Sequence, residues 1–192
     1  MRLLEDRIRR DGKVGEGDVL KVDSFLNHQI DACFLSELGR EFHRLFCDCG
    51  VTKILTIEAS GIGIACLTAM YFTCPVVFAK KTKTNNIYSD VYTSKVESYT
   101  HKKSYDIVVS KEFLCPGDRV LIIDDFLAKG SAIMALADLI DGAGAQTVGA
   151  GIVIEKSYQG GAQLVRQRGI RLESLARVKS MSVEGGVEFV CD

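Results

Sequence analysis

Val120-Leu121-Ile122-Ile123-Asp124-Asp125-Phe126-Leu127-Ala128-Lys129-Gly130-Ser131-Ala132 decides the fold of this chain. The apolar, mostly β-branched run 120–123 suits a strand buried on both faces, so Asp124 and Asp125 are expected to emerge at its carboxyl end, where open α/β sheets bind their ligands. Residues 128–132 carry little side-chain bulk and form a turn into a helix running on from Ile133. Free amides at such a turn and the positive end of the helix dipole both favour phosphate. Carboxylates accept hydrogen bonds from vicinal hydroxyls or hold a divalent cation, so acids beside a phosphate turn describe a sugar phosphate. For an isolated pair, one Asp capping the helix and the other a solvated strand end would suffice. The strand before and the turn after favour the ligand.

Elements alternate outward from this stretch. Residues 2–10 read as a short helix, 19–22 as a short strand, and 31–46 as a long amphipathic helix with Phe34, Leu35, Leu38, Phe42, Leu45 and Phe46 on one face. Strands are expected at 53–58, 75–79, 120–123, 147–154, 171–176 and 187–190, and helices at 62–71, 133–140 and 161–168. Residues 107–110 have no obvious pairing partner. Strands alternating with helices mean an α/β fold with a mostly parallel central sheet.

Composition bounds the function. The chain has 192 residues, 47% of them hydrophobic, with two prolines, which fits one domain and one core. Its formal net charge is −1 without a long run of like charge, so neither nucleic acid nor an anionic membrane is expected as a partner. Residues 1–12 lack the apolar core of a signal peptide, and no stretch approaches the ~20 apolar residues of a membrane span. A cytoplasmic location is expected. The seven cysteines form an odd set without paired spacing, mostly among apolar neighbours, and read as buried free thiols. Cys47 and Cys49 with His43 are poorly arranged for zinc, because a C-x-C at a helix end points its sulfurs apart.

A second small-residue turn, Ala59-Ser60-Gly61-Ile62-Gly63, again follows a strand and precedes a helix. Gly61-x-Gly63 could open a dinucleotide-binding G-x-G-x-x-G, but Cys66 holds its third position. Where the ribose-binding acid should stand the chain offers Ala79, Lys80 and Lys81. A turn that lets amides approach pyrophosphate, with Lys80 and Lys81 adding charge, fits better. Residues 82–106 are polar, tyrosine-bearing and without sustained periodicity; a loop this long in a compact domain is usually functional or mobile.

The 120–132 stretch resembles the phosphoribosyl-diphosphate signature of type I phosphoribosyltransferases. Leu20 to Gln29, Glu58 to Ile62, Ile152 to Ser157 and Glu173 to Ala176 are similar, in order and spacing, to the short bacterial xanthine phosphoribosyltransferases. The resemblance covers nearly the whole chain. It implies a type I phosphoribosyltransferase fold with a small hood from residues 1–30 and the C-terminal segment, and a homodimer using xanthine and 5-phosphoribosyl 1-diphosphate. Asp124 and Asp125 would hold the ribose hydroxyls. Ala128, Lys129, Gly130, Ser131 and Ala132 would bind the 5-phosphate, with Ser60, Gly61 and Lys81 at the diphosphate. Lys156 would face the exocyclic oxygen of a 6-oxopurine, Phe126 would lie on the purine ring, and Leu20 and Asn27 would complete the base pocket, although Asn27 could instead cap the helix that follows. Ser98 and Tyr99 stand at the flexible hood that closes over the diphosphate, shielding a sugar cation from water. Magnesium would ride on the diphosphate rather than on protein side chains alone.

Two departures mark this chain. Many 6-oxopurine enzymes carry an acid at the position of Ala128, a candidate general base, and its absence fits xanthine, which is the more acidic purine. Lys129 replaces the usual Thr or Asn and either reaches the 5-phosphate or points to solvent. Two other classes remain to be weighed: a regulator of the same fold that senses purine or diphosphate, for which no helix-turn-helix or basic face is evident before Gly50, and the nicotinamide-dependent oxidoreductase weakened above.

Overall fold

The computed structural model describes residues 1–81, 90–98 and 103–191. At the N-terminus come α1 (Arg2–Asp11), β1 (Lys13–Gly15), β2 (Val19–Lys21), a turn of π-helix at Asp23–Asn27, and α2 (Ala32–Phe46). The core follows as β3 (Lys53–Ile57), α3 (Gly61–Phe72), β4 (Val76–Lys81), β5 (Val91–Ser98), β6 (Lys103–Ser110), β7 (Arg119–Leu127), α4 (Ser131–Gly142), β8 (Gln146–Lys156), α5 (Gly161–Gln167), β9 (Leu172–Ser182) and β10 (Gly186–Phe189).

The large sheet has the order β10-β9-β8-β7-β3-β4-β6-β5. Its five central strands run parallel, and β10, β6 and β5 join antiparallel at the edges. From β3 the chain crosses through α3 to β4 on one side; from β7 it crosses through α4 and α5 to β8 and β9 on the other. The strand order therefore reverses between the neighbours β3 and β7, and the crevice beyond their carboxyl ends is where such sheets bind ligands.

Alternation along the strands feeds two cores. Leu121 and Ile123 join Phe42, Phe46 and Ile64 in one apolar cluster, while Val120, Ile122 and Leu127 join Leu136 and Ile140 in the other. The first lies under α1, α2 and α3 and the second under α4 and α5. The hood packs on the far edge of the sheet, with α1 and β1 against β9 and β10. Asp31 caps α2 by accepting from the Phe34 N–H at 3.1 Å. Arg7 pairs with that same Asp31 and places its guanidinium 5.1 Å from the ring centres of both Phe25 and Phe34.

Three expectations need correction. Residues 107–110 do have partners, since β6 pairs with β4 at Lys80 and Lys81 and with β5 along its whole length. The polar segment 82–106 is correspondingly not one irregular loop, because β5 and the start of β6 fall within it; residues 82–89 and 99–102 lie outside the described residues. The seven cysteines are free, but none is buried. Cys33 and Cys66 sit on the outer faces of α2 and α3, where apolar neighbours in sequence turn inward and leave the thiol in solvent.

Candidate active site

Strand β7 runs on to Leu127, so Asp124 and Asp125 lie within it rather than beyond it, at 4% and 9% exposure. This is the fourth correction. The Asp125 amide donates to Asp124 Oδ1 at 3.0 Å. Burial, and then the neighbouring Asp125 charge, raise the Asp124 carboxyl well above the usual range, with Lys81 pulling weakly the other way.

Lys81 ends β4, with its ammonium 5.5 Å from the centre of the Tyr105 ring on β6. Burial and then the charge of Asp124 push the Tyr105 phenol up. Three strands thus converge on one charged corner. Tyr105 is a residue that sequence reasoning missed, though the alternation of buried Ile107 and Val109 with exposed Ser104 and Asp106 points it toward the sheet.

The 59–63 turn closes the same corner. The Glu58–Ala59 peptide is cis, Glu58 Oε1 accepts from the Lys81 N–H at 2.6 Å, and the Glu58 N–H donates to the Ala79 carbonyl. A Cβ on Gly61 would lie 2.1 Å from Thr56 Oγ1 and 3.1 Å from Asp124 Oδ1. Glycine is what lets the start of α3 approach the acid. The Thr56 hydroxyl is buried and without a hydrogen-bond partner among the described residues. Ser60, half-buried, immediately precedes α3.

Residues 128–132 turn from β7 into α4 through Gly130, whose φ of 86° belongs to the left-handed region. Neither acid caps that helix; Gly130 occupies the N-cap position. Ser131 and Ala132 open α4 half-buried, and Lys129 is exposed. Behind the turn stands Gly161, whose N–H donates to the Ala128 carbonyl at 3.1 Å.

Strand β8 ends on Lys156. Lys156 donates to the backbone carbonyl of Asp18 in the β1–β2 turn and lies 5.8 Å from the centre of the Phe126 ring. Burial lowers its pKa. Leu20 is buried in the first core cluster, whereas Asn27 ends the π-helical turn exposed, and Asp31 rather than Asn27 caps α2. The structure therefore brings Lys156 to Phe126, and Lys81 to Asp124 and the 59–63 turn. Ser98 ends β5, opposite Lys103, and Tyr99 lies outside the described residues. The described residues hold no group of three or more His, Cys, Asp or Glu arranged for a metal.

The phosphoribosyl transferase domain model matches residues 40–169. The chain is 61% identical to a xanthine phosphoribosyltransferase of Lachnoclostridium phytofermentans, covering 97% of this chain and 96% of that one. It is 53% identical to a xanthine phosphoribosyltransferase of Ruminiclostridium cellulolyticum, covering 94% and 95%. Among solved structures it is similar to APRTase from Giardia lamblia in complex with 9-deazaadenine, with TM-score 0.75 at 24% identity over 88% of this chain and 92% of that one. It is likewise similar to adenine phosphoribosyltransferase from Rhodothermus marinus, with TM-score 0.75 at 20% identity over 92% and 99%. At those identities the structural likeness concerns the fold, and the fold is the type I phosphoribosyltransferase sheet with its switch point between β3 and β7. With a matching domain model and relatives aligned nearly end to end, the chain belongs to the phosphoribosyltransferase family.

Proposed function

We propose that the protein is a purine-salvage transferase that moves the 5-phosphoribosyl group from 5-phosphoribosyl 1-diphosphate to xanthine, yielding xanthosine 5′-monophosphate and diphosphate. The carrying observation is the switch point itself: a buried acid pair lies between two small-residue turns, with the Phe126 ring next on the same strand and Lys156 beside it at the end of β8. Relatives at 53–61% identity are named as xanthine phosphoribosyltransferases, which agrees.

In this reading the amides of residues 128–132 and the Ser131 hydroxyl hold the 5-phosphate. Ser60, Gly61 and Lys81 take the diphosphate. Asp124 and Asp125 accept from the ribose hydroxyls and favour positive charge as the bond from C1 to diphosphate breaks and the bond to the purine nitrogen forms. No protein nucleophile is needed. Phe126 covers the base, Leu20 walls it, Asn27 bonds its edge, and Lys156 exchanges its contact with the Asp18 carbonyl for the 6-oxo group.

The donor set suits a divalent cation that brings ligands of its own, because two adjacent carboxylates beside a phosphate turn leave the remaining positions to substrate oxygens and water. Magnesium held there on the diphosphate would neutralise the leaving group.

A homodimer is supported by Met70, Phe78 and Phe113, which are exposed and apolar on the core domain and suit cover by a second copy. No helix among the described residues is long and apolar enough to cross a membrane. A cytoplasmic site is supported by seven unpaired cysteines, which suit a reducing compartment.

The test is to incubate the protein with 5-phosphoribosyl 1-diphosphate, magnesium and each of xanthine, guanine, hypoxanthine, adenine and uracil, following nucleotide by chromatography. Xanthosine monophosphate should dominate. No nucleotide from any base overturns the reading.

A further inference from the structure

Glu155 is buried to 3% exposure, next in sequence to Lys156 and on the opposite face of β8. Its two oxygens are held separately. Ser157 Oγ donates to Oε1 at 2.6 Å from the turn that follows β8, and Ser174 Oγ donates to Oε2 at 2.6 Å from β9. Burying a carboxylate is unfavourable without such donors, so this residue is an expensive way merely to fill space.

What the carboxylate holds is the start of a short path to the phosphate turn. Ser157 begins the 3-10 turn Ser157–Gln159, Gly160 reverses the chain at φ 78°, and Gly161 then donates to the Ala128 carbonyl. A Cβ on Gly161 would stand 2.4 Å from that carbonyl oxygen and 2.6 Å from the Gly130 nitrogen, so the two backbones meet with no side chain between them. Any drift of residues 157–161 is therefore passed directly to residues 128–132.

We propose that Glu155 is a positioning residue for the 5-phosphate: through Ser157 it fixes the turn whose Gly161 supports the 128–132 amides. The proposal rests on the transferase reading. Ser174 ties the same carboxylate to the sheet and not to the turn, which supplies an internal control.

The experiment compares Glu155→Gln, Ser157→Ala and Ser174→Ala with the unmodified protein, reading KM for each substrate, and calorimetric affinity for ribose 5-phosphate, which needs no turnover. Ser157→Ala and Glu155→Gln should weaken ribose 5-phosphate and raise KM for 5-phosphoribosyl 1-diphosphate on the order of tenfold, because small displacements of a binding turn are amplified in the bound state. KM for xanthine should stay within about twofold, as expected for a loss confined to one substrate's contacts. Ser174→Ala should change the phosphate constants much less than Ser157→Ala. Equal effects of the two serine variants, equal effects on both substrates, or variants that lower only the melting temperature would overturn the proposal. Should Glu155→Gln not fold, the serine pair decides alone. An unmodified protein that binds ribose 5-phosphate yet makes no nucleotide would sink the transferase reading instead, leaving the calorimetric comparison to decide the role of Glu155.

Discussion

The N–H of Gly161 donates to the carbonyl oxygen of Ala128 across 3.1 Å, joining the start of α5 to the turn before α4. Because a Cβ at 161 would press on that carbonyl and on the Gly130 nitrogen, Gly161→Ala must displace one backbone or the other. Overpacking of this kind costs about 1–3 kcal/mol, and the better helix propensity of alanine at the start of α5 returns at most about 1 kcal/mol of it. The expected outcome is a rise in KM for 5-phosphoribosyl 1-diphosphate, larger than any rise for xanthine. Steady-state kinetics with each substrate varied in turn checks it, and unchanged constants would detach the α5 start from phosphate binding.

Asp124 links activity to stability in opposite directions. Its carboxyl is raised by burial and by Asp125, so the folded state holds the proton more tightly than the unfolded chain does. Stability from this group is present below the ordinary aspartate range and is lost as pH rises toward and through the raised folded value. Asp124→Asn, which keeps the shape without the charge, should raise the melting temperature at pH 7 and give a smaller gain near pH 4. Thermal unfolding of both proteins at the two pH values tests this; a gain that is larger in acid would reverse the assigned cause.

The same acids should matter for turnover. The double variant Asp124→Asn, Asp125→Asn should remain folded and lose transition-state contacts on the order of 2–4 kcal/mol. Single-turnover rates with saturating substrates measure the loss, and unaltered rates would remove the pair from the ribose.

How far this site was legible follows from which contacts are local. Residues 120–132 and 59–63 carry their strand, turn and helix in one continuous pattern, so the acids, both turns and the parallel sheet could be read directly. Acids suggest a strand end at Ile123, whereas β7 runs four residues further, with Asp124 accommodated inside by the bare Gly61 and by the Asp125 amide. Strands β5 and β6 were hidden by their polar outer faces. Only the alternation at 104–109 betrays them, and it is short. The role of Glu155 was beyond reach: its second partner, Ser174, lies on another strand, and nothing in the run Ile154-Glu155-Lys156 tells a buried acid from a solvated one.

Lys156 is half-buried beside Phe126, and its pKa is lowered by that burial. Lys156→Gln removes the charge while keeping a donor, and a hydrogen bond to a charged group is worth about 1.5–3 kcal/mol. KM for xanthine should rise roughly ten- to a hundredfold, with KM for 5-phosphoribosyl 1-diphosphate nearly unchanged. Equal effects on both substrates would make the lysine structural, a tether for the β1–β2 turn through Asp18.

Ala128 offers the test most particular to this chain. It stands half-buried at the start of the 128–132 turn, with its carbonyl engaged by Gly161, and in the proposed reading it offers only a methyl where a carboxylate could take the purine proton. Without that acceptor the better substrate should be the base that has already lost its proton, so the rate with xanthine should climb with pH through the titration of xanthine itself while hypoxanthine reacts poorly throughout. Ala128→Asp should shift preference toward hypoxanthine, for two separable reasons. It supplies a base to the purine that needs one, and it sets a negative charge near the purine that is already anionic. The variant leaves the Ala128 carbonyl in place, so KM for 5-phosphoribosyl 1-diphosphate should move less than the ratio of kcat/KM between the two purines. Paired pH–rate profiles for both proteins decide the matter: an unmodified protein that uses hypoxanthine as readily as xanthine would remove both the missing-base account and the substrate assignment.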